Sequence, residues 1–125
     1  MGKRKAMLII GPSRSGKTMR AWREAEKDGG RCITTFQEEI QRPFGLGRVL
    51  GLSPDVVVVE GLSLAGLDVN LVKRLVSGED ILIAEQYKEP RFVPAPRFIF
   101  TVLTPPALDL GAGFWSRFEV VVLGT

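Results

Sequence analysis

The segment 11–18 constrains the fold more than any other part of the chain. It reads Gly-Pro-Ser-Arg-Ser-Gly-Lys-Thr and matches the phosphate-binding pattern GxxxxGK(S/T) at every fixed position. A short apolar run at 7–10 precedes the segment, and residues with helical character follow it. A chain with this order is expected to form a strand, a phosphate-binding loop and a helix whose N-terminus faces the bound anion.

This loop predicts a nucleoside triphosphate and Mg²⁺ as ligands. Lys17 is expected to reach the β- and γ-phosphates, and the Thr18 hydroxyl is expected to bind Mg²⁺. The predicted nucleotide contacts are Gly11, Pro12, Ser13, Arg14, Ser15, Gly16, Lys17 and Thr18. The alternative is a glycine-rich turn that matches by chance, which the neighbouring strand and helix disfavour.

Composition bounds the class of protein. The chain has 125 residues, of which 45% are apolar and 25% charged, and this is typical of one globular domain covering 1–125. No apolar run approaches the roughly 20 residues of a membrane span, so we expect no membrane partner. The N-terminus lacks the apolar region of a signal peptide and the one cysteine suits a reducing cytosol, so we expect an intracellular, cytoplasmic protein. With no histidine and one cysteine, a single chain cannot build a zinc site of the usual His/Cys type. The net charge of +3 permits nucleic-acid binding without requiring it.

Short apolar runs alternate with helical stretches, which is typical of a mostly parallel sheet flanked by helices. The predicted strands are 7–10, 31–35, 55–60, 98–103 and 119–123. The predicted helices are 17–27 and 68–76, and the segment 36–54 allows a short helix at 45–51. Asp68 has the character of an N-cap. We expect Trp22 on the first helix and Cys32 in the second strand to be buried.

Residues 81–93 break this alternation. Two short apolar segments flank the polar tip 85–90, which predicts a β-hairpin, and nearby prolines indicate that it projects from the main sheet. Lys88 at the tip, with Arg91 and Tyr87 close by, suits phosphate contact and base stacking in single-stranded DNA. The alternative is a solvated turn without a ligand.

Glu60 is the candidate catalytic carboxylate. It closes the valine-rich strand 55–60, and ligands of open α/β sheets gather at such strand ends. A carboxylate there can hold Mg²⁺ through water or polarise an attacking water, whereas the alternative is a capping or solvated glutamate. Because Gly61 follows, no second acid adjoins it. Either Glu60 covers both roles, or Asp55 or Glu85 contributes, or hydrolysis is slow.

Arg117 stands directly before the last predicted strand. A guanidinium at this position can be presented to the γ-phosphate held by a neighbouring subunit, where it stabilises transition-state charge. The alternatives are an ordinary surface arginine and one that stacks on Trp115. Spacing alone does not separate these interpretations.

The order of these elements resembles the AAA+ core of superfamily 3 helicases, which occurs in replication proteins of small DNA viruses and related plasmids. The resemblance covers residues 7–123. The segment Gly11–Thr18 matches the Walker A motif, and Val56–Glu60 resembles Walker B. The hairpin is similar to the pre-sensor hairpin whose lysine tracks DNA in the central channel of a ring, with Lys88 at its tip.

Two further segments extend this resemblance. The strand after the hairpin resembles the one that carries sensor 1, for which Thr104 is the first candidate and Thr101 the second. The run 116–119 resembles the arginine-finger motif, which favours the finger interpretation of Arg117. The resemblance departs from the usual pattern at Gly61 and at sensor 1, where asparagine is usual. The sequence also shows no origin-binding or helical oligomerisation domain beside the core.

The resemblance implies an ATP-hydrolysing motor that forms a ring, expected to be a hexamer, and moves single-stranded DNA. Its catalytic residues would be Lys17, Glu60, Thr104 and Arg117, with ATP and Mg²⁺ as ligands. One alternative is a small nucleoside or nucleotide kinase, in which Arg91 and Arg97 would serve an arginine-bearing lid. Another is a nucleotide-gated assembly factor with weak hydrolysis.

Overall fold

The computed structural model describes residues 5–63, 66–103, 113 and 116–124. Its main strands are β1 (Ala6–Ile10), β2 (Cys32–Phe36), β3 (Val56–Leu62), β6 (Arg97–Val102) and β7 (Phe118–Val122). The helices with assigned bounds are α1 (Lys17–Asp28), α2 (Gln37–Gln41), α3 (Gly45–Leu50) and α4 (Val69–Leu75). A separate ladder pairs β4 (Ile81–Ile83) with β5 (Arg91–Val93) in antiparallel fashion.

The main strands form one parallel sheet in the order β2-β3-β6-β1-β7. The predicted α/β class, the mostly parallel five-stranded sheet and the inserted hairpin are therefore confirmed. Helix α2 was not predicted, because a helix of five residues carries too little periodicity to stand out in a sequence. The Asp68 carboxylate accepts a hydrogen bond from Leu71 N at 3.0 Å, which confirms this residue as the N-cap of α4.

Alternation along the strands divides the core into two layers. In β3, Val56 and Val58 pack on the α1 side, whereas Val57 and Val59 pack on the opposite side. That second layer also receives apolar residues from α2, α3, α4 and the hairpin. The valine run is thus buried on both faces, as expected for an inner strand of a parallel sheet. None of the helices in the described part of the chain has the length and apolar character to cross a bilayer.

Two burial predictions were wrong. Trp22 is 45% exposed, because α1 contacts the sheet through a narrow stripe that includes Ala21 and Ala25. Small residues at that stripe let the helix approach the sheet closely, and the indole lies outside the contact. Cys32 is exposed, because it begins β2, the edge strand of the sheet, which has a neighbouring strand on one side only.

Arg97 is buried at the start of β6, the central strand, on the side of the sheet where the amino ends of the strands lie. Its guanidinium forms an ion pair with Asp28 at 3.0 Å, lies 3.8 Å from Glu24, and donates a hydrogen bond to Lys5 O at 2.9 Å. These contacts connect the end of α1 to the start of β6. Arg97 is therefore a buried structural residue at the amino ends of the strands, whereas the phosphate loop lies at their carboxyl ends. The prediction that Arg97 is available for a kinase lid is wrong.

We predict that Arg97→Ala lowers the free energy of unfolding by about 3–5 kcal/mol, because it removes the buried cation that pairs with Asp28 and lies beside the buried carboxylate of Glu24. Arg20→Ala is the matched control, since Arg20 also contacts Glu24, at 3.5 Å, but its side chain is 38% exposed. Its loss should cost less than about 1 kcal/mol. Urea unfolding followed by circular dichroism measures both. Equal effects of the two substitutions would contradict the structural role of Arg97.

Candidate functional site

The phosphate-loop sequence forms a closed turn between β1 and α1. Its backbone is held by hydrogen bonds from Gly11 N to Val102 O at 3.1 Å and from Ser15 N to Pro12 O at 3.2 Å. Gly16 caps α1 with a φ of 88°, in the left-handed region that glycine adopts without strain. The first turn of α1 contains no acidic residue, so the positive end of its dipole is not neutralised from within the helix.

Gly11 is required by a close approach within the loop. A Cβ atom on this residue would lie 2.5 Å from Ser15 Oγ and 3.2 Å from the Cβ of Leu123, which follows β7. The loop is thus packed against the end of a neighbouring strand, and a larger residue at 11 would open it. In this chain, glycine at position 11 therefore leaves room for Ser15 and for the end of β7.

Lys17 reaches back across the loop from the first turn of α1. Its ammonium donates hydrogen bonds to Gly11 O at 2.7 Å and Pro12 O at 2.8 Å. Thr18, half-buried, follows it on the same turn. A cation and a hydroxyl are thereby held beside the N-terminus of α1, where an anion is favoured. The residues fit phosphate and Mg²⁺, and their contacts to a nucleotide stay predictions.

Glu60 lies at the same edge of the sheet, at the carboxyl end of β3. Its Oε1 atom is buried and has no hydrogen-bond partner among the described residues, as is also true of Ser15 Oγ in the phosphate loop. Buried polar atoms are normally satisfied, so these two mark a place where a cation, water or phosphate can complete the site. These carboxylate and hydroxyl oxygens suit Mg²⁺, a hard cation that prefers oxygen ligands.

A β-bulge at Glu60 and Gly61 interrupts the pairing of β3 with β6. Gly61 has a φ of 71°, and the pairing of β3 with β6 shifts between Val59 and Leu62. Gly61 N donates to Thr101 Oγ1 at 3.0 Å, which ties the bulge to the next strand. Thr101, the second candidate for sensor 1, is thus buried in the sheet and holds this bulge. Thr104, the first candidate, lies outside the described residues.

Asp55 and Glu85, the two acids proposed to help Glu60, are each engaged by other groups. Asp55 precedes β3, so it stands at the opposite edge of the sheet, about 16 Å away along an extended strand. There its carboxylate accepts a hydrogen bond from Arg31 N at 2.8 Å. Glu85 is engaged within the hairpin by Lys88 and Arg91. Neither acid supplies the missing neighbour of Glu60.

Arg117 also lies at the edge opposite the phosphate loop. It directly precedes Phe118, which pairs with Ala6 at the start of β1, whereas the loop begins after Ile10. Its guanidinium is exposed and lies 3.5 Å from Ser77 O. Arg117 is therefore separated from the loop of its own chain by the length of a strand, about 16 Å. The alternative partner, Trp115, lies outside the described residues.

The hairpin carries the third group of predicted site residues. Tyr87 stands at its tip with a φ of 64° and is 96% exposed. Lys88 and Arg91 both contact the Glu85 carboxylate, at 3.3 Å and 3.1 Å. Arg91 first, and then Lys88, hold the pKa of Glu85 below its ordinary value. The sequence did not predict this pairing at the tip, although the spacing of Glu85 and Lys88 was a signal for it.

Comparisons with known proteins bear on the fold. Neither the models of known protein families nor the curated proteins match the sequence. Among solved structures, the chain is similar to the C-terminal region of NrS-1 in an apo form, with a TM-score of 0.67 and 17% identity. It is also similar to JC virus helicase bound to an aryl acetamide, with a TM-score of 0.65 and 19% identity.

These matches cover almost the whole chain, 96% and 99% of it, but only 29% and 37% of the two neighbours. The chain thus spans well under half the length of the proteins that it matches. The resemblance to a helicase domain, predicted from the motifs, is therefore confirmed at the level of the fold.

We predict that the Glu85 carboxyl carbon titrates below the ordinary glutamate range in an NMR pH titration, because two cations stabilise its charged form. The ionised group contributes to stability above the ordinary pKa, and this contribution is lost as the pH falls through the lowered pKa. Arg91→Ala removes the largest cause and should raise the midpoint towards the ordinary value. A midpoint that Arg91→Ala leaves unchanged would show that the pair does not persist in solution.

Proposed function

We propose that the chain is the ATP-hydrolysing core of a ring-forming motor that acts on single-stranded DNA, in the manner of a replication helicase. The observation that carries this proposal is a helicase fold in which a complete phosphate loop and an exposed basic hairpin occur together. The fold alone does not define an activity, so an activity must be inferred from the residues of each part.

The nucleotide would bind at the carboxyl edge of the sheet. Loop N–H groups and Lys17 suit the phosphates, and the Thr18 hydroxyl with Glu60 suits Mg²⁺. When bound, Mg²⁺ would neutralise charge on the phosphate oxygens. The orphaned Oε1 atom of Glu60 is an acceptor that can also orient a water for attack. With Gly61 beside it, Glu60 performs both tasks alone, and we expect slow turnover.

The position of Arg117 supports an assembly of several chains. A guanidinium at the edge opposite the loop cannot reach the γ-phosphate of its own chain, but it can be offered to a neighbour in a head-to-tail arrangement. Such interfaces join different surfaces of identical chains, and they close into rings when the rotation allows. Each nucleotide would then have Glu60 from one chain and Arg117 from the next.

The hairpin is the proposed DNA contact. Lys88 and Arg91 are exposed cations on a projecting tip, and Tyr87 offers a solvent-exposed ring beside them. Phosphate neutralisation by cations combined with stacking on an aromatic side chain is the usual mode of binding single strands without sequence preference. The commitment of Arg97 to the core removes one lid arginine from the kinase alternative. The lone acid at Glu60 keeps a slowly hydrolysing assembly factor as the second candidate function.

We predict ATP hydrolysis that single-stranded DNA stimulates, with a ring in the presence of ATP. Lys17→Met should reduce turnover on the order of 10²-fold, because it removes the cation that serves the phosphates. Lys73→Met, on exposed α4 surface, is the matched control and should leave turnover unchanged. Steady-state ATPase assays and mass photometry on the same samples provide the test. A monomer that hydrolyses ATP without response to DNA would contradict the motor, and ATP-dependent rings with negligible turnover would favour the assembly factor.

A second prediction concerns the sharing of sites between chains. Arg117→Ala should lower turnover on the order of 10³-fold while ATP binding survives, because the finger acts on charge in the transition state. The Arg117→Ala chain keeps Glu60, and the equally inactive Glu60→Gln chain keeps Arg117. When the two variants are mixed, an intact site forms wherever a chain with Glu60 is followed in the ring by a chain with Arg117. Random mixing of equal amounts in a ring should therefore restore about a quarter of wild-type activity, since half of the chains carry each intact residue. Absence of any recovery on mixing would show that Arg117 does not act between subunits.

A further inference from the structure

The two cations of the hairpin tip are already occupied by an anion of the same chain. Lys88 Nζ lies 3.3 Å from Glu85 Oε2, and Arg91 Nη2 lies 3.1 Å from Glu85 Oε1. Each carboxylate oxygen thus serves one cation. A phosphate group, which also presents several anionic oxygens, would meet Lys88 and Arg91 in the same way.

Glu85 is held by the body of the domain. A Cβ atom on Gly47 would lie 2.2 Å from Ala84 O and 3.1 Å from Glu85 Cγ. A Cβ on Gly51 would lie 3.1 Å from both Glu85 Cδ and Oε1. The glycines of α3 and of its end therefore let the hairpin base and the Glu85 side chain pack directly on this helix.

Exposure differs sharply between the carboxylate and its partners. The Glu85 side chain is only 19% exposed, whereas the side chains of Lys88 and Arg91 are 66% and 52% exposed. The anion is thus the inner, packed member of the cluster, and the cations form its outer layer. An anionic ligand that approaches the tip contacts Lys88 and Arg91 first. It can replace Glu85 as their ion-pair partner while Glu85 remains packed on α3.

We propose that Glu85 is an internal competitor for the nucleic-acid backbone: it holds Lys88 and Arg91 in the free protein, and DNA phosphates replace it in the complex. This inference rests on the proposed DNA contact of the hairpin and deepens it. Glu85 would weaken binding while keeping the cations in place between encounters. A motor that must release its strand in every cycle benefits from such an exchange, because the anion recaptures the cations when the phosphate leaves.

The test compares two substitutions that change the net charge equally. Glu85→Gln keeps the shape that packs on α3 and removes the negative charge from the two cations. Glu89→Gln removes a negative charge from the same tip, at a residue for which the described structure contains no ion pair. Fluorescence anisotropy with a labelled oligothymidylate measures the dissociation constant of each full-length variant. A thermal melt of each protein verifies folding.

We expect Glu85→Gln to bind the oligothymidylate roughly threefold to tenfold more tightly than Glu89→Gln, and raised salt should shrink the difference. Equal effects of the two variants would overturn the proposal. The change in affinity would then come from the net charge of the tip and not from the ion pairs of Glu85 with Lys88 and Arg91. Weaker binding by Glu85→Gln would also overturn it and would mean that the carboxylate only orients the cations.

Lys88→Ala separates this inference from the function on which it rests. If Lys88→Ala weakens binding while Glu85→Gln does not exceed Glu89→Gln, the DNA contact stands and the competitor role fails. If neither the unmodified chain nor Glu85→Gln binds the oligothymidylate, the DNA contact and the competitor role fail together. The ATPase and mixing experiments then decide the remaining parts of the function independently.

Discussion

Parallel pairing of the main strands is the constraint on which the candidate site depends. Because every strand of the sheet runs in one direction, all carboxyl ends meet at one edge and all amino ends at the other. This brings the phosphate loop and Glu60 to a common edge although they are far apart in the chain. The same constraint sends Arg117 to the opposite edge. Arg117 is therefore separated from the phosphate loop of its own chain by the length of a strand.

The hairpin depends on a different constraint, the close approach of its base to α3. A ladder of three residue pairs is too short to be stable by itself, so its position depends on packing against α3 and on the apolar core that its strands share with the sheet. Gly47 leaves room for the backbone of Ala84, and Glu85 lies against the same surface. The glycines at 47 and 51 therefore allow this close packing, and they place Glu85 beneath the two cations with which it pairs.

The phosphate loop, the strands and the hairpin could be predicted because their signals are local. A glycine at a positive φ, a run of valines and paired apolar segments each restrict a few neighbouring residues. Helix α2 could not be predicted, because its single turn is stabilised by contacts such as the one from Ser63 N to Gln37 Oε1 at 2.7 Å. The burial of Trp22 and Cys32 was misjudged, because burial depends on which part of a face the neighbouring elements cover.

The sequence by itself determined the class of fold and the candidate phosphate site. The loop pattern and the alternation of strands and helices can both be recognised from residues that are contiguous in the chain. Only the tertiary structure decided which charges meet. Arg97 joins Glu24 and Asp28 in the core, and Glu85 engages Lys88 and Arg91, because strand order and the packing of α3 bring these groups together. Strand order is a global outcome of burying both faces of one sheet, and no local pattern specifies it.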